Sequence, residues 1–317
     1  MQTIELPALY YPFPAAACHP EAEALVAHVL DWTWAQRLVS GDPRAAENVR
    51  SYSMLAARCY PAAPREHLFA IGDYYSWLFF FDDACEGLSL GGASPADVRG
   101  FLTRIYAALR DPAARGEGPA APFVDALADI WRRVARASAP SWRARFIRHV
   151  ENYIDACVWE ATNRSLDQIP SRAVFQTMRS YTSTMYEFWD FIELAGGFVL
   201  PDEVVEHPLI AELARTANAA ASFANDIFSL RKEAVGRDFH NLVLVLERER
   251  GLPLREAYHD AAALHDAQVR HFCALERLLP SFGAVDRDLA RYIKGMRVWM
   301  RANYEWSSDT PRYNAGA

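Results

Sequence analysis

Asn225, Ser229 and Glu233 stand four residues apart, twice over, in the stretch 225-NDIFSLRKE-233. On an α-helix that spacing puts all three on one face, a polar line about 12 Å long. An amide oxygen, a hydroxyl and a carboxylate are hard oxygen donors, and such a set suits Mg²⁺ far better than a soft metal. Lys232, beside Glu233, adds a point charge for an anion next to the metal. The helix carrying this line is otherwise apolar, with Ile210, Leu213, Ala217, Ala221, Ala224, Ile227 and Phe228 at core spacing, so its polar groups need partners. Taken alone, the same pattern also describes a solvent-facing stripe.

A second cluster, 79-FFFDDACE-86, sets three acids behind a solid apolar run. Asp82 and Glu86 at i, i+4 and Asp83 and Glu86 at i, i+3 converge near the expected end of a helix. Like charges repel there unless a cation intervenes. By itself this is what a solvated helix terminus looks like; with the first cluster it forms a constellation. Facing each other across a bundle, the two would hold several Mg²⁺ ions whose free positions are filled by a substrate's phosphates.

The elements that must position these residues are helices. From about residue 21 onward, apolar residues recur at three- and four-residue spacing between Pro and Gly breaks, and strand signals are scarce. The pattern predicts helices over 21–39, 44–59, 65–86, 96–109, 121–137, 141–166, 172–195 with an interruption, 208–233, 240–250, 254–279 and 285–306. The only plausible linkers, 87-GLSLGGASP-95 and 111-DPAARGEGPAAP-122, are short and mark no shift in composition. The expectation is one all-α domain over 1–317, a helical bundle with a site in its interior, preceded by an extended leader at 1–20.

Composition narrows the partners. A net charge of −7, with 33 basic residues against 40 acidic and no Lys/Arg cluster, speaks against nucleic acid. Only two of the basic residues are lysines, Lys232 and Lys294, and one of them falls inside the opening stretch. Five widely spaced cysteines without a C-x-x-C pair suggest neither a zinc site nor a disulfide framework, which fits a reducing cytoplasm. No run approaches the roughly 18 apolar residues that span a bilayer. The oligomeric state is open, a homodimer included.

At these residues the chain resembles the bacterial class I terpene synthases. The stretch 82-DDACE-86 is similar to their aspartate-rich motif, and 225-NDIFSLRKE-233 to their N-D-x-x-S-x-x-x-E triad, including the Lys before the Glu. Arg179 lies 46 residues before Asn225, at the place of the family's diphosphate-sensing arginine, and 306-WSSDTPRY-313 resembles the family's terminal W-S-x-x-x-x-R-Y segment. The third acid is Glu86 where many relatives carry Asp.

The resemblance implies the class I terpenoid synthase fold with a central cavity. It implies three Mg²⁺ holding a prenyl diphosphate, with Asp82 and Asp83 or Glu86 on one side and Asn225, Ser229 and Glu233 on the other. Arg179, Lys232, Arg312 and Tyr313 complete the anion site, and Thr182 and Ser183, at a helix break, relay diphosphate binding to the allylic carbon. Phe79, one helical turn below the carboxylates, is expected to face the carbocation, and Tyr75, Phe188, Trp189 and Trp306 follow by the same logic. The polar segment 307–317 has the composition of a mobile tail and is expected to act as a lid. Farnesyl diphosphate is the default substrate and geranylgeranyl diphosphate its main competitor. A chain-elongating prenyltransferase is a rival, disfavoured because it carries a second aspartate-rich motif in place of Asn/Ser/Glu. A non-enzymatic helical scaffold is the other.

Overall fold

The structure, a computed structural model, describes residues 6–39, 43–111, 113–236 and 238–314. Its α-helices in chain order are α1 (Ala22–Ala35), α2 (Pro43–Cys59), α3 (Arg65–Leu90), α4 (Pro95–Arg110), α5 (Ala121–Ala137), α6 (Pro140–Leu166) and α7 (Arg172–Thr182). There follow α8 (Met185–Gly196), α9 (Asp202–Val205), α10 (Pro208–Gly236), α11 (Leu242–Arg250), α12 (Leu254–Glu276), α13 (Asp286–Asp309) and α14 (Pro311–Asn314). The described residues contain no strand, and no helix among them is long and apolar enough to cross a membrane. The chain divides into two compact units, Ala17–Leu166 with Asp190–Val199, and Met1–Ala16 with Asp167–Trp189 and Leu200–Ala317.

In the first unit, α3 is the interior helix. Leu68, Ile71, Tyr74, Tyr75, Trp77, Leu78 and Phe81 are all buried, and a helix apolar on nearly every side belongs inside. It packs against α1, α2 and α5. Rings stack one turn apart within a helix, Trp77 on Phe81 in α3 at 4.9 Å and Trp142 on Phe146 in α6 at 5.0 Å. Each such side chain contributes about 1.5–3 kcal/mol by leaving water. The later half of α8 is fixed to α6 by buried charge: Arg145 Nε donates to Asp190 Oδ1 at 3.0 Å, its Nη2 pairs with Glu193, and His149 Nδ1 lies 2.7 Å from Asp190 Oδ2. Charges buried this deeply persist only when paired.

In the second unit, α10 is the central helix. Ala217, Ala220, Ala221 and Ala224 present almost no side chain, which lets α12 and α13 approach closely. Phe223, Ile227 and Leu230 then join Leu242, Val243 and Leu246 of α11 and Tyr258 and Ala261 of α12 in one apolar cluster. Local chemistry sets the starts of its shorter helices. The Ser171 side chain accepts from Val174 N at the head of α7, and Asn241 accepts from Val243 N at the head of α11.

The expected interruption of 172–195 is present, between Thr182 and Met185. Two other boundaries differ. Helix α3 continues past Glu86 to Leu90, so the acidic cluster lies within the helix and not at its end. One glycine costs a helix only about 1 kcal/mol, and the stop comes at Gly92, whose φ is 88°. The segment after Trp306, with the composition of a mobile tail, is helical through Asp309 and again over Pro311–Asn314, and buries Ser307 and Thr310. Residues 315–317 lie outside the described residues.

Candidate functional site

Within the second unit, the site is built around Asp226, a residue the sequence reading passed over. Its side chain is fully buried. Oδ1 accepts from Arg179 Nε at 3.0 Å and Nη2 at 2.7 Å, and Oδ2 accepts from the Leu242 amide at 3.0 Å. The same Arg179 Nη2 donates to Asn225 Oδ1 at 2.9 Å, and Nη1 reaches Thr182 Oγ1 at 3.3 Å. Two consecutive residues of α10 thus hold the guanidinium that α7 projects near its C-terminal end. A rigidly held fork of this kind is suited to phosphate oxygens.

The polar line on α10 forms as the spacing predicts. Ser229 Oγ donates to Glu233 Oε1 at 2.6 Å, and Glu233 Oε2 accepts from Asn241 Nδ2 at 2.7 Å. Asn241 also donates to the Asp226 carbonyl at 2.7 Å, so it ties the head of α11 to both ends of the motif. Burial, reinforced by the neighbouring Asp226 and Asp238, raises the Glu233 carboxyl to about 8. Asn225 uses its other amide atom, Nδ2, to donate to the Tyr313 hydroxyl at 2.6 Å. The Tyr313 ring meets Trp306 edge-on at 5.6 Å, and burial raises its phenol to about 12 despite the opposing charges of Arg312 and Lys232. Arg179, Asn225, Tyr313 and Trp306 therefore meet in one place, with Lys232 and Arg312 within electrostatic reach.

The break after α7 has its own supports. Thr184 sits in the left-handed region at φ 59°, a conformation a β-branched residue rarely adopts. Ser183 Oγ donates to Asn218 Oδ1 at 2.8 Å, and Asn218 Nδ2 donates to the Ser180 carbonyl at 2.8 Å. Asn218 was missed as well, because an Asn in an Ala-rich run carries no spacing signal.

In the first unit, Asp82 is exposed, and its Oδ1 accepts from Tyr153 OH at 3.4 Å; Asp83 and Glu86 are half-buried. Phe79 is half-buried and stacks on the fully buried Tyr52 at 4.1 Å and 15°. Tyr75, by contrast, is wholly buried, with its hydroxyl 3.5 Å from that of Tyr60. In the second unit, Phe188 stacks on Trp299 at 5.2 Å and Trp189 meets the same indole edge-on at 5.7 Å, with Nε1 donating to the Ala214 carbonyl.

The donors fit a hard divalent cation. Among the described residues no three His, Cys, Asp or Glu side chains gather as a metal site, and Mg²⁺ characteristically takes few protein carboxylates, leaving its other positions to water and phosphate. A buried glutamate already surrounded by other acids, with its carboxyl raised, is the kind of group that a cation stabilises.

A family model described as terpene synthase family 2, C-terminal metal binding, matches residues 73–271. The chain is 60% identical to the 10-epi-cubebol synthase of Sorangium cellulosum over 97% of its own length and 98% of the relative's. It is 34% identical to the (+)-T-muurolol synthase of Roseiflexus castenholzii, described as cyclising (2E,6E)-farnesyl diphosphate, over 96% of this chain and 93% of that one. The crystal structure of germacradien-4-ol synthase from Streptomyces citricolor matches with a TM-score of 0.82 at 28% identity, covering 96% of this chain and 99% of that chain. The chain belongs to the terpene synthase family, and it is an enzyme of terpene cyclisation.

Proposed function

We propose that this synthase cyclises farnesyl diphosphate to a sesquiterpene hydrocarbon or alcohol and releases diphosphate. The observation that carries the reading is the convergence of Arg179 and Tyr313 on Asn225, the first residue of the oxygen-donor line. Farnesyl diphosphate is the substrate that the muurolol synthase is described as cyclising, and that relative matches this chain over 96% of its length.

Asn225, Ser229 and Glu233, with Asp82 and Asp83 or Glu86, would hold Mg²⁺, which supplies neutralisation of the diphosphate leaving group. Arg179 binds diphosphate oxygens through its fork while Asp226 fixes its direction. Lys232, Arg312 and the Tyr313 hydroxyl add a point charge, a second fork and a phenolic donor. Groups preorganised toward charge that develops on the leaving oxygen supply the main part of such catalysis. Thr182 takes one Arg179 nitrogen, so an anion that draws on Arg179 is felt at the Ser183 and Thr184 break. Phe79, Phe188, Trp189 and Trp306 offer ring faces to the carbocation, each worth about 0.5–2 kcal/mol. Tyr75 is offered with them, its ring as buried as that of Trp189.

Incubation with geranyl, farnesyl and geranylgeranyl diphosphates and Mg²⁺, followed by gas chromatography of a pentane extract, tests the reading. Cyclic C15 product from farnesyl diphosphate is expected. Turnover of geranylgeranyl diphosphate alone would overturn the chain length, and undiminished turnover in EDTA would overturn the metal assignment.

A further inference from the structure

Tyr11 lies in the extended stretch before α1, and its ring is held from two sides. His265 of α12 has its ring centroid 4.8 Å away, and Tyr304 of α13 is at 4.7 Å. The same stretch is pinned along its length. Tyr10 N donates to Asp266 Oδ1 at 2.8 Å, Phe13 meets Phe272 edge-on at 6.2 Å, and Ala16 N approaches the two Glu305 carboxylate oxygens at 3.4 and 3.3 Å. The Tyr11 hydroxyl is buried and finds no hydrogen-bond partner among the described residues, so the faces of the ring, and not its polar end, fix it.

The contact continues inward. Tyr304 meets Phe228 of α10 edge-on at 5.9 Å, and Phe228 precedes Ser229 of the oxygen-donor line. Glu305, which takes the Ala16 amide, precedes Trp306, whose ring supports Tyr313 against Asn225. We infer that Tyr11 is a positioning residue for catalysis: wedged between α12 and α13, it sets the last turns of α13 against α10 and so fixes the approach of Tyr313 to Asn225. This inference rests on reading those residues as the metal and diphosphate end of a terpene synthase. Its physical basis is that an aromatic wedge cannot be shortened without leaving a cavity into which the neighbouring ring can turn. A shift of about 1 Å at groups that must meet a leaving diphosphate costs on the order of 100-fold in rate.

Three variants test it: Tyr11→Phe, Tyr11→Leu and Tyr11→Ala, each checked for wild-type helical content by circular dichroism. Tyr11→Phe keeps both ring faces and removes only an unpartnered hydroxyl. It should retain kcat within about twofold and melt no lower than wild type. Tyr11→Leu and Tyr11→Ala should lower kcat about 10- to 100-fold, shift the product mixture toward early-quenched acyclic alcohols, and lose the rise in melting temperature that Mg²⁺ with inorganic diphosphate gives the wild type. Wild-type kcat and product ratios in folded Tyr11→Leu would overturn the inference, as would an equal loss in Tyr11→Phe, which would place the effect on the hydroxyl. If the wild type itself shows neither turnover nor a melting shift, it is the functional reading that fails, and the two failures are distinct.

Discussion

The carboxylate of Asp226 accepts two bonds from Arg179 and one from the Leu242 amide while wholly buried. Asp226→Asn preserves its shape and removes its charge, leaving a guanidinium that is only 13% exposed without its counter-charge. Breaking a buried pair in this way costs about 3–5 kcal/mol, and the loosened fork should lower kcat on the order of 100-fold. Denaturant midpoints and steady-state kinetics read the two effects separately, and wild-type turnover would show that Arg179 is aimed by something else. Phe79→Ala should instead leave diphosphate binding intact and broaden the product spectrum in gas chromatography, since the ring stacked on Tyr52 lies a turn below Asp82; an unchanged spectrum and rate would make it a core residue. Asn225, Ser229 and Glu233 were legible in the sequence because their relation is local, one helical face at fixed spacing. Asp226, Asn218 and Asn241 were not, because their roles are set by partners such as Arg179, 47 positions away, which helical spacing does not relate.

Helix ends were the least legible feature, and each discrepancy has a cause. Gly87 lacks the positive φ that would have stopped α3, and Ser307 stays in α13 because burial outweighs its weak propensity, while the buried Thr310 is extended and separates α13 from α14. The break between α7 and α8 was legible from its Ser and Thr content, but its strained residue, Thr184, was not. Thr184→Gly relieves about 1–2 kcal/mol of left-handed strain and gives up about as much in side-chain burial. Its melting temperature should stay near wild type while kcat falls several-fold, because the more flexible glycine no longer holds the break; an unchanged kcat would make the strain incidental. Helix α12 carries a second expectation. Burial lowers the pKa of His265 below the ordinary 6.5, against a smaller opposing effect of Asp266. The unfolded chain then binds the proton more readily than the folded one, so this contribution to stability is complete above pH 6.5 and is lost as pH falls through the folded value. His265→Gln should flatten that part of the melting profile, and an unaltered slope would assign the acid sensitivity elsewhere.

At the scale of the molecule, the all-α class was legible because 3.6-residue periodicity runs through nearly the whole chain. The two compact units were not, since one of the crossings between them falls inside α8, where composition does not change. What joins the chain's ends into function is testable by removing the last residues. A mobile tail, as the composition of 307–317 predicts, would let 311–317 be deleted with little effect on the ligand-free fold. The structure changes that expectation: Tyr313 packs on Trp306 and its hydroxyl takes an Asn225 hydrogen bond, so the deletion should lower ligand-free stability by about 1–3 kcal/mol. The larger effect should appear with ligand. A protein that binds Mg²⁺ and diphosphate only when folded gains RT ln(1 + [L]/Kd), about 2.7 kcal/mol at a hundredfold excess over Kd. With Arg312 and Tyr313 in the anion site as proposed, the truncated protein should lose most of that gain and turn over far more slowly. A tail that closes on the bound anion would also exclude water from the carbocation. Differential scanning calorimetry with and without Mg²⁺ and diphosphate, beside product yield from farnesyl diphosphate, separates the two contributions. A truncated enzyme that cyclises at the full rate and keeps its ligand-induced stabilisation would remove Arg312 and Tyr313 from the site and leave the tail as packing alone.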